Sequence, residues 1–89
     1  MNIYELSDIL GAELKLIRYP NQDSRWTAEF SDCEIKNKSS DGCLIGEYGN
    51  GKTPYEAIKN YAEKISGKVL VFNAYSPTRK EFNCPKLTE

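Results

Sequence analysis

The chain has 89 residues and not one is a histidine. The side chain that most often serves as a general base near neutral pH, and most often ligates metals, is therefore missing. Cysteine is sparse. Cys33, Cys43 and Cys84 form an odd set with no Cys-x-x-Cys pair. That pattern argues against a zinc site and against a disulfide framework, although Cys33 and Cys43 flank an expected turn and could face each other across it. No metal and no cofactor is expected. No apolar run approaches the roughly 20 residues of a membrane helix, so no membrane partner is expected. Charge of one sign is missing too. Lys plus Arg number 12 against 13 Asp plus Glu, a net charge of −1. A phosphate backbone would meet no broadly basic surface. The opening Met1-Asn2-Ile3-Tyr4-Glu5 has no basic region followed by an apolar stretch, so no signal peptide is read and a cytoplasmic location is expected.

What is present centres on Gly49-Asn50-Gly51-Lys52-Thr53-Pro54-Tyr55-Glu56-Ala57-Ile58. The two glycines suggest a sharp reversal through positive φ. Thr53 is an N-cap, Pro54 fits the first helical position, and Glu56 completes a capping box. The helix is expected to run to about Ile65, with Gly67 as the C′ residue. Ala57, Ile58, Tyr61, Ala62 and Ile65 make one apolar stripe, with Lys59, Asn60, Glu63 and Lys64 on the other face. Gly, Lys and Thr before a helix suggest a phosphate loop. That pattern requires four residues between its glycines, however, and here there is one.

Elsewhere, Asn2 as cap, Glu5 at N3 and Gly11 as terminator predict a short first helix with Ile3, Leu6, Ile9 and Leu10 on one face. It is too short to stand alone and must dock on a sheet. Residues 13–19 read as a strand, with Leu14 and Leu16 opposite Lys15, Ile17 and Tyr19. Residues 20–24 read as a loop. Residues 25–30 alternate cleanly, with Trp26, Ala28 and Phe30 on one face. Residues 33–36 extend that strand or form a short one after a break at Ser31-Asp32. A polar turn ending in Asp41-Gly42 precedes a strand over 43–48. After Gly67, residues 68–72 are a β-rich run without polar alternation. The expected architecture is α+β: a three-stranded antiparallel meander flanked by a short N-terminal helix and a longer second helix, plus a C-terminal β-like segment. A single domain is expected over 1–73. Residues 74–89 are expected to be an irregular tail packed on it or extending it, with one edge strand around 80–84.

The order α-β-β-β-α, with Gly-x-Gly-x-Thr opening a helix, resembles the double-stranded RNA-binding domain. Thr53-Pro54-Tyr55-Glu56-Ala57 is similar to the Thr-x-x-Glu-Ala that opens the helix of HicB-type antitoxins. Small phage and prophage proteins resemble 49–73 through Gly-x-Gly-x-Thr-Pro-x-x-Ala-Ile and a hydrophobic strand after Gly-Lys. The resemblance covers about residues 12–73. It implies a bacterial host as the compartment. It does not bring the RNA-binding lysine cluster: Thr53, Pro54, Tyr55 and Glu56 stand in its place, with Lys52 and Lys59 the nearest cations.

The expected function is a small, non-catalytic protein-interaction module, phage- or prophage-encoded. Its expected partner is a host protein, for example a CRISPR nuclease or another defence protein that it inhibits. Six tyrosines support a binding surface, because tyrosine brings large contact area at low entropic cost. The candidate partner-binding residues are Tyr19, Arg25, Tyr48, Lys52, Tyr55 and Lys59. The alternative is nucleic-acid binding through a local patch of Lys15, Arg18, Arg25, Lys36, Lys38 and Lys52, with an exposed tyrosine or Trp26 stacking on bases. An enzyme is not expected: Asp32 with Glu34, and Asp41 with Glu47, come with no nucleophile or ligand set. A second copy pairing through an open strand edge, at 43–48 or 68–72, is a further partner.

Overall fold

Both helices start at the residues whose side chains cap them. A computed structural model of the chain describes residues 1–20, 25–36 and 43–88. Residues 21–24 of the expected loop, the Asp-Gly turn, and Asp23, Lys38 and Asp41 lie outside the described residues. Helix α1 (Ile3–Leu10) is opened by a full capping box. Asn2 Oδ1 accepts from Glu5 N–H at 2.9 Å, and the Glu5 carboxylate accepts from Asn2 N–H at 3.1 Å. Gly11, at φ 62°, closes it. Its inward face is narrower than the spacing predicts: Ile3 and Leu6 are buried, Leu10 is half-buried, and Ile9 is 63% exposed. Helix α2 (Pro54–Ile65) is capped by Thr53, whose hydroxyl accepts from Glu56 N–H at 3.1 Å. The Glu56 carboxylate reaches one residue further back than a capping box would and takes Lys52 N–H at 2.9 Å. Gly67, at φ 75°, follows the helix as predicted.

The class is α+β with antiparallel sheets, but the single meander is not what forms. Among the described residues there are seven strands in two sheets. The first sheet has the order β1-β2-β5, built from Leu14–Tyr19, Arg25–Phe30 and Gly49–Gly51. The second has the order β4-β3-β6-β7, built from Leu44–Ile45, Cys33–Lys36, Val69–Phe72 and Lys80–Asn83. The division falls at Ser31-Asp32. Asp32 sits at φ 53°, a left-handed conformation that aspartate tolerates better than most residues, and this turns the chain out of β2 into β3. The expected strand over 43–48 shrinks to two residues paired with β3. The glycine segment, expected to be a turn, is itself the third strand of the first sheet. Trp26 pairs with Gly51, Thr27 with Asn50, and Ala28 with Gly49.

Gly49 and Gly51 do not have the positive φ that their expected role required; in the described residues only Gly11 and Gly67 do among glycines. Their reason is closeness. A Cβ on Gly49 would lie 2.2 Å from the Ala57 carbonyl oxygen and 2.4 Å from the Tyr61 nitrogen. One on Gly51 would lie 2.4 Å from the Ala57 nitrogen. α2 therefore rests directly on the β5 backbone, with Ala57 fully buried in the contact.

The core lies between the sheets and the helices: Phe30, Tyr61, Leu6, Ile35, Ile65 and Leu70 are its largest members. The Phe30 and Tyr61 rings meet edge-to-face at 5.6 Å. The chain beyond β6 closes the second sheet. β7 pairs with β6 from Val69↔Asn83 to Phe72↔Lys80. Cys84 is buried, and its backbone exchanges bonds with Gly67 and Lys68. Leu87 N–H donates to Ser66 Oγ, and Thr88 N–H donates to the Met1 carbonyl. No helix among the described residues is long and apolar enough to cross a membrane.

Candidate functional site

Tyr19, Arg25 and Tyr48 come together on one surface. In an antiparallel pair, cross-strand partners share a face. Trp26, Ala28 and Phe30 of β2 turn toward α2, so Arg25, Thr27 and Glu29 turn away from it. The partners Lys15↔Glu29, Ile17↔Thr27 and Tyr19↔Arg25 from β1, and Thr27↔Asn50 toward β5, complete the outward set. Tyr48, one residue before β5, falls on the same side. Tyr19, Arg25, Thr27, Glu29, Tyr48 and Asn50 line one shallow concavity on the face of the sheet opposite α2. Tyr19 and Tyr48 are 47% and 48% exposed there.

Tyr48 is held rather than free. Lys64, from the last turn of α2, places its ammonium 5.6 Å from the centre of the Tyr48 ring and donates to the Tyr48 carbonyl at 3.0 Å. The same ammonium stands 3.6 Å from the Glu47 carboxylate. A tyrosine oriented in advance loses less freedom on contact. Sequence spacing does not point to Lys64: it lies 16 residues from Tyr48, on the helix face expected to be solvated. Its position in the last turn of the helix, where cations are favoured, was the available signal.

The other candidate residues lie elsewhere. Tyr55 and Lys59 border an apolar hollow of about 230 Å3 between the helices and the chain end, with Ile3, Tyr4, Ile58 and Leu87. Lys52 is exposed between β5 and α2 and lines neither surface. The basic residues proposed as a patch are dispersed. Lys15 and Arg18 point to opposite faces of β1, Lys36 is 3.8 Å from Glu81 in the second sheet, and Trp26 is half-buried against the core.

Chemistry-bearing groups in the interior are neutral and hydrogen-bonded. Tyr61 Oη accepts from Phe30 N–H at 3.1 Å, and the Cys33 thiol lies within hydrogen-bonding reach of the same hydroxyl. Burial pushes the Cys33 thiol up to about 12 and the Tyr61 hydroxyl well above its ordinary value. Burial likewise raises Cys84 to about 11. A thiolate is the nucleophilic form of cysteine, so these two thiols are held in their unreactive state. Cys43 is exposed, and all three cysteines are free. The described residues hold no group of three His, Cys, Asp or Glu side chains placed to bind a metal. No protein family, no curated protein and no solved structure matches the chain at significance.

Proposed function

We propose that this chain is a small protein-binding module that contacts its partner through the face of the first sheet bearing Tyr19, Arg25 and Tyr48. The observation that carries this reading is that two half-exposed tyrosines and an arginine line one concavity on a sheet face turned away from α2, one tyrosine being fixed by Lys64. Tyrosine and arginine dominate the energetics of protein interfaces, and anchors of this kind work best when already oriented. Thr27 and Asn50 supply short hydrogen-bonding groups between them. With Arg25 and Glu29 giving one charge of each sign, the patch suits a partner surface that is apolar with polar groups between.

The test is affinity capture from host lysate with the wild-type chain and the Tyr19→Ala/Tyr48→Ala double variant, each with and without nuclease. The reading requires a protein retained after nuclease treatment and lost with the double variant. A protein retained equally by both chains would refute this face. Capture abolished by nuclease would move the reading to single-stranded nucleic acid stacked on the two rings.

A further inference from the structure

The two edges of the first sheet end differently, and the difference can be read from hydrogen-bond parity. In an antiparallel ladder, alternate residues direct N–H and C=O toward a given neighbour. Ser31 N–H donates to the Glu13 carbonyl at 2.9 Å, and Phe30 N–H turns the other way, to Tyr61. Residues 13, 15, 17 and 19 therefore direct their backbone groups to β2. Leu14, Leu16 and Arg18 direct theirs outward, past the edge of the sheet. At the opposite edge, the same parity turns Asn50 outward, and there the Asn60 side chain of α2 accepts Asn50 N–H at 2.9 Å. Among the described residues, no side chain covers the outward amides of β1 in this way. The strand runs for six residues, and Leu16, Ile17 and Tyr19 are 40%, 37% and 47% exposed. An edge of this length, without a bulge and with four of its six residues apolar or aromatic beside Lys15 and Arg18, is a template for another strand.

We infer that β1 pairs with β1 of a second copy of this chain, antiparallel, about a two-fold axis through Leu16. The outward residues are symmetric about that position. Leu16 meets Leu16 of the second copy, and Leu14 meets Arg18 in both directions, so all three outward residues are used, with about six backbone hydrogen bonds. The charges fit the same register. Arg18 stands opposite Leu14 and Lys15 opposite Ile17, so no like charges oppose each other. Moving the axis toward the N-terminus by one residue sets Lys15 against Lys15. Moving it toward the C-terminus by one residue sets Leu14 against Pro20, which has no N–H. The product is a continuous six-stranded sheet with both copies of α2 on one face. A two-fold interface of this kind is self-complementary and closes. The inference is independent of the partner reading above, since its test uses the purified chain alone.

The experiment is sedimentation equilibrium from about 10 μM to about 1 mM, with wild type and Leu16→Lys, beside disulfide trapping in a Cys43→Ser background. Two paired strands make an interface below standard size, so a weak dimer is expected, filling toward the upper end of that range. Leu16→Lys sets two ammonium groups at the axis and is expected to weaken association at least tenfold. Leu16→Cys is expected to cross-link rapidly, because residues at the axis have Cα atoms about 5.5 Å apart, within disulfide range. Ile17→Cys, on a diagonal of about 7–8 Å, is expected not to. A chain that stays monomeric throughout would overturn the inference and leave the edge to some other extended segment. A dimer indifferent to Leu16→Lys, or trapped equally at Ile17→Cys, would overturn it as well.

Discussion

β5 and β1 bound the same three-stranded sheet and solve the problem of an edge in opposite ways. β5 is nearly bare backbone, Gly49-Asn50-Gly51, with α2 pressed onto it and Asn60 occupying its outward amide. β1 is longer and carries side chains of ordinary size; Leu16 is exposed, and among the described residues no side chain covers the strand's outward amides. The contrast shows what protection of an edge demands. A helix covers a strand closely only where the strand gives up its side chains, and the strand that keeps them is the one left able to pair. The tyrosine face spans both: Tyr19 comes from the open strand and Tyr48 from the approach to the covered one.

The sharpest way to break the covered edge is Gly49→Ala. The added methyl meets backbone atoms of α2 at 2.2 and 2.4 Å, and neither can rotate away. Overpacking costs about 1–3 kcal/mol, occasionally more, and here the backbone must move, so a loss of about 3 kcal/mol or more is expected. The check is the midpoint of urea unfolding. Tyr61→Phe comes next. It keeps the ring against Phe30 but strands the buried Phe30 N–H, at a cost of about 2 kcal/mol.

The same interior group sets an alkaline limit. Cys33, normally near 9.0, is held neutral up to about 12 by burial, and Tyr61 is raised in the same direction. In the unfolded chain these groups ionise first. Their contribution is therefore fully present below about pH 9 and is lost as pH rises toward 12. Stability measured by urea unfolding is expected to be level between pH 7 and about 8.5 and to fall above that. A flat profile to pH 11 would contradict the burial of both groups.

Asn60→Ala uncovers the β5 edge at a cost of about 1 kcal/mol and is expected to speed amide exchange at Asn50 specifically. Leu16→Lys is the smallest effect on the folded chain. The side chain is exposed, so stability should move by less than about 0.5 kcal/mol while association is lost.

Much of this contrast was legible in the chain, and the rest was hidden for identifiable reasons. The caps at Asn2, Gly11, Thr53 and Gly67, and the alternation of β2, follow from local chemistry and stand as read. At Gly49 and Gly51 the sequence is ambiguous, because a glycine that turns and a glycine that lets a helix approach look identical without the helix position. The split into two sheets hung on one left-handed residue, Asp32, and aspartate there is also compatible with a continuing strand. The spacing of Ile9 fits the inward stripe because a helix of two turns tolerates a wide one, whereas α1 buries only Ile3 and Leu6. Of the candidate contact residues, Tyr19, Arg25 and Tyr48 share one face, Tyr55 and Lys59 another, and Lys52 neither. Helix spacing puts Tyr55 and Lys59 together, but strand order decides the Tyr19, Arg25 and Tyr48 grouping, and it depends on pairings between distant residues.

The most direct test of the two-edge account is residue-resolved amide exchange at two concentrations, about 20 μM and about 1 mM. Asn50 is expected to be protected equally at both, because its cover lies within the chain. Leu16 is expected to exchange rapidly in the dilute sample and to gain protection in the concentrated one. Rapid exchange at Asn50, or Leu16 protected already at 20 μM in a chain of monomer mass, would contradict the account.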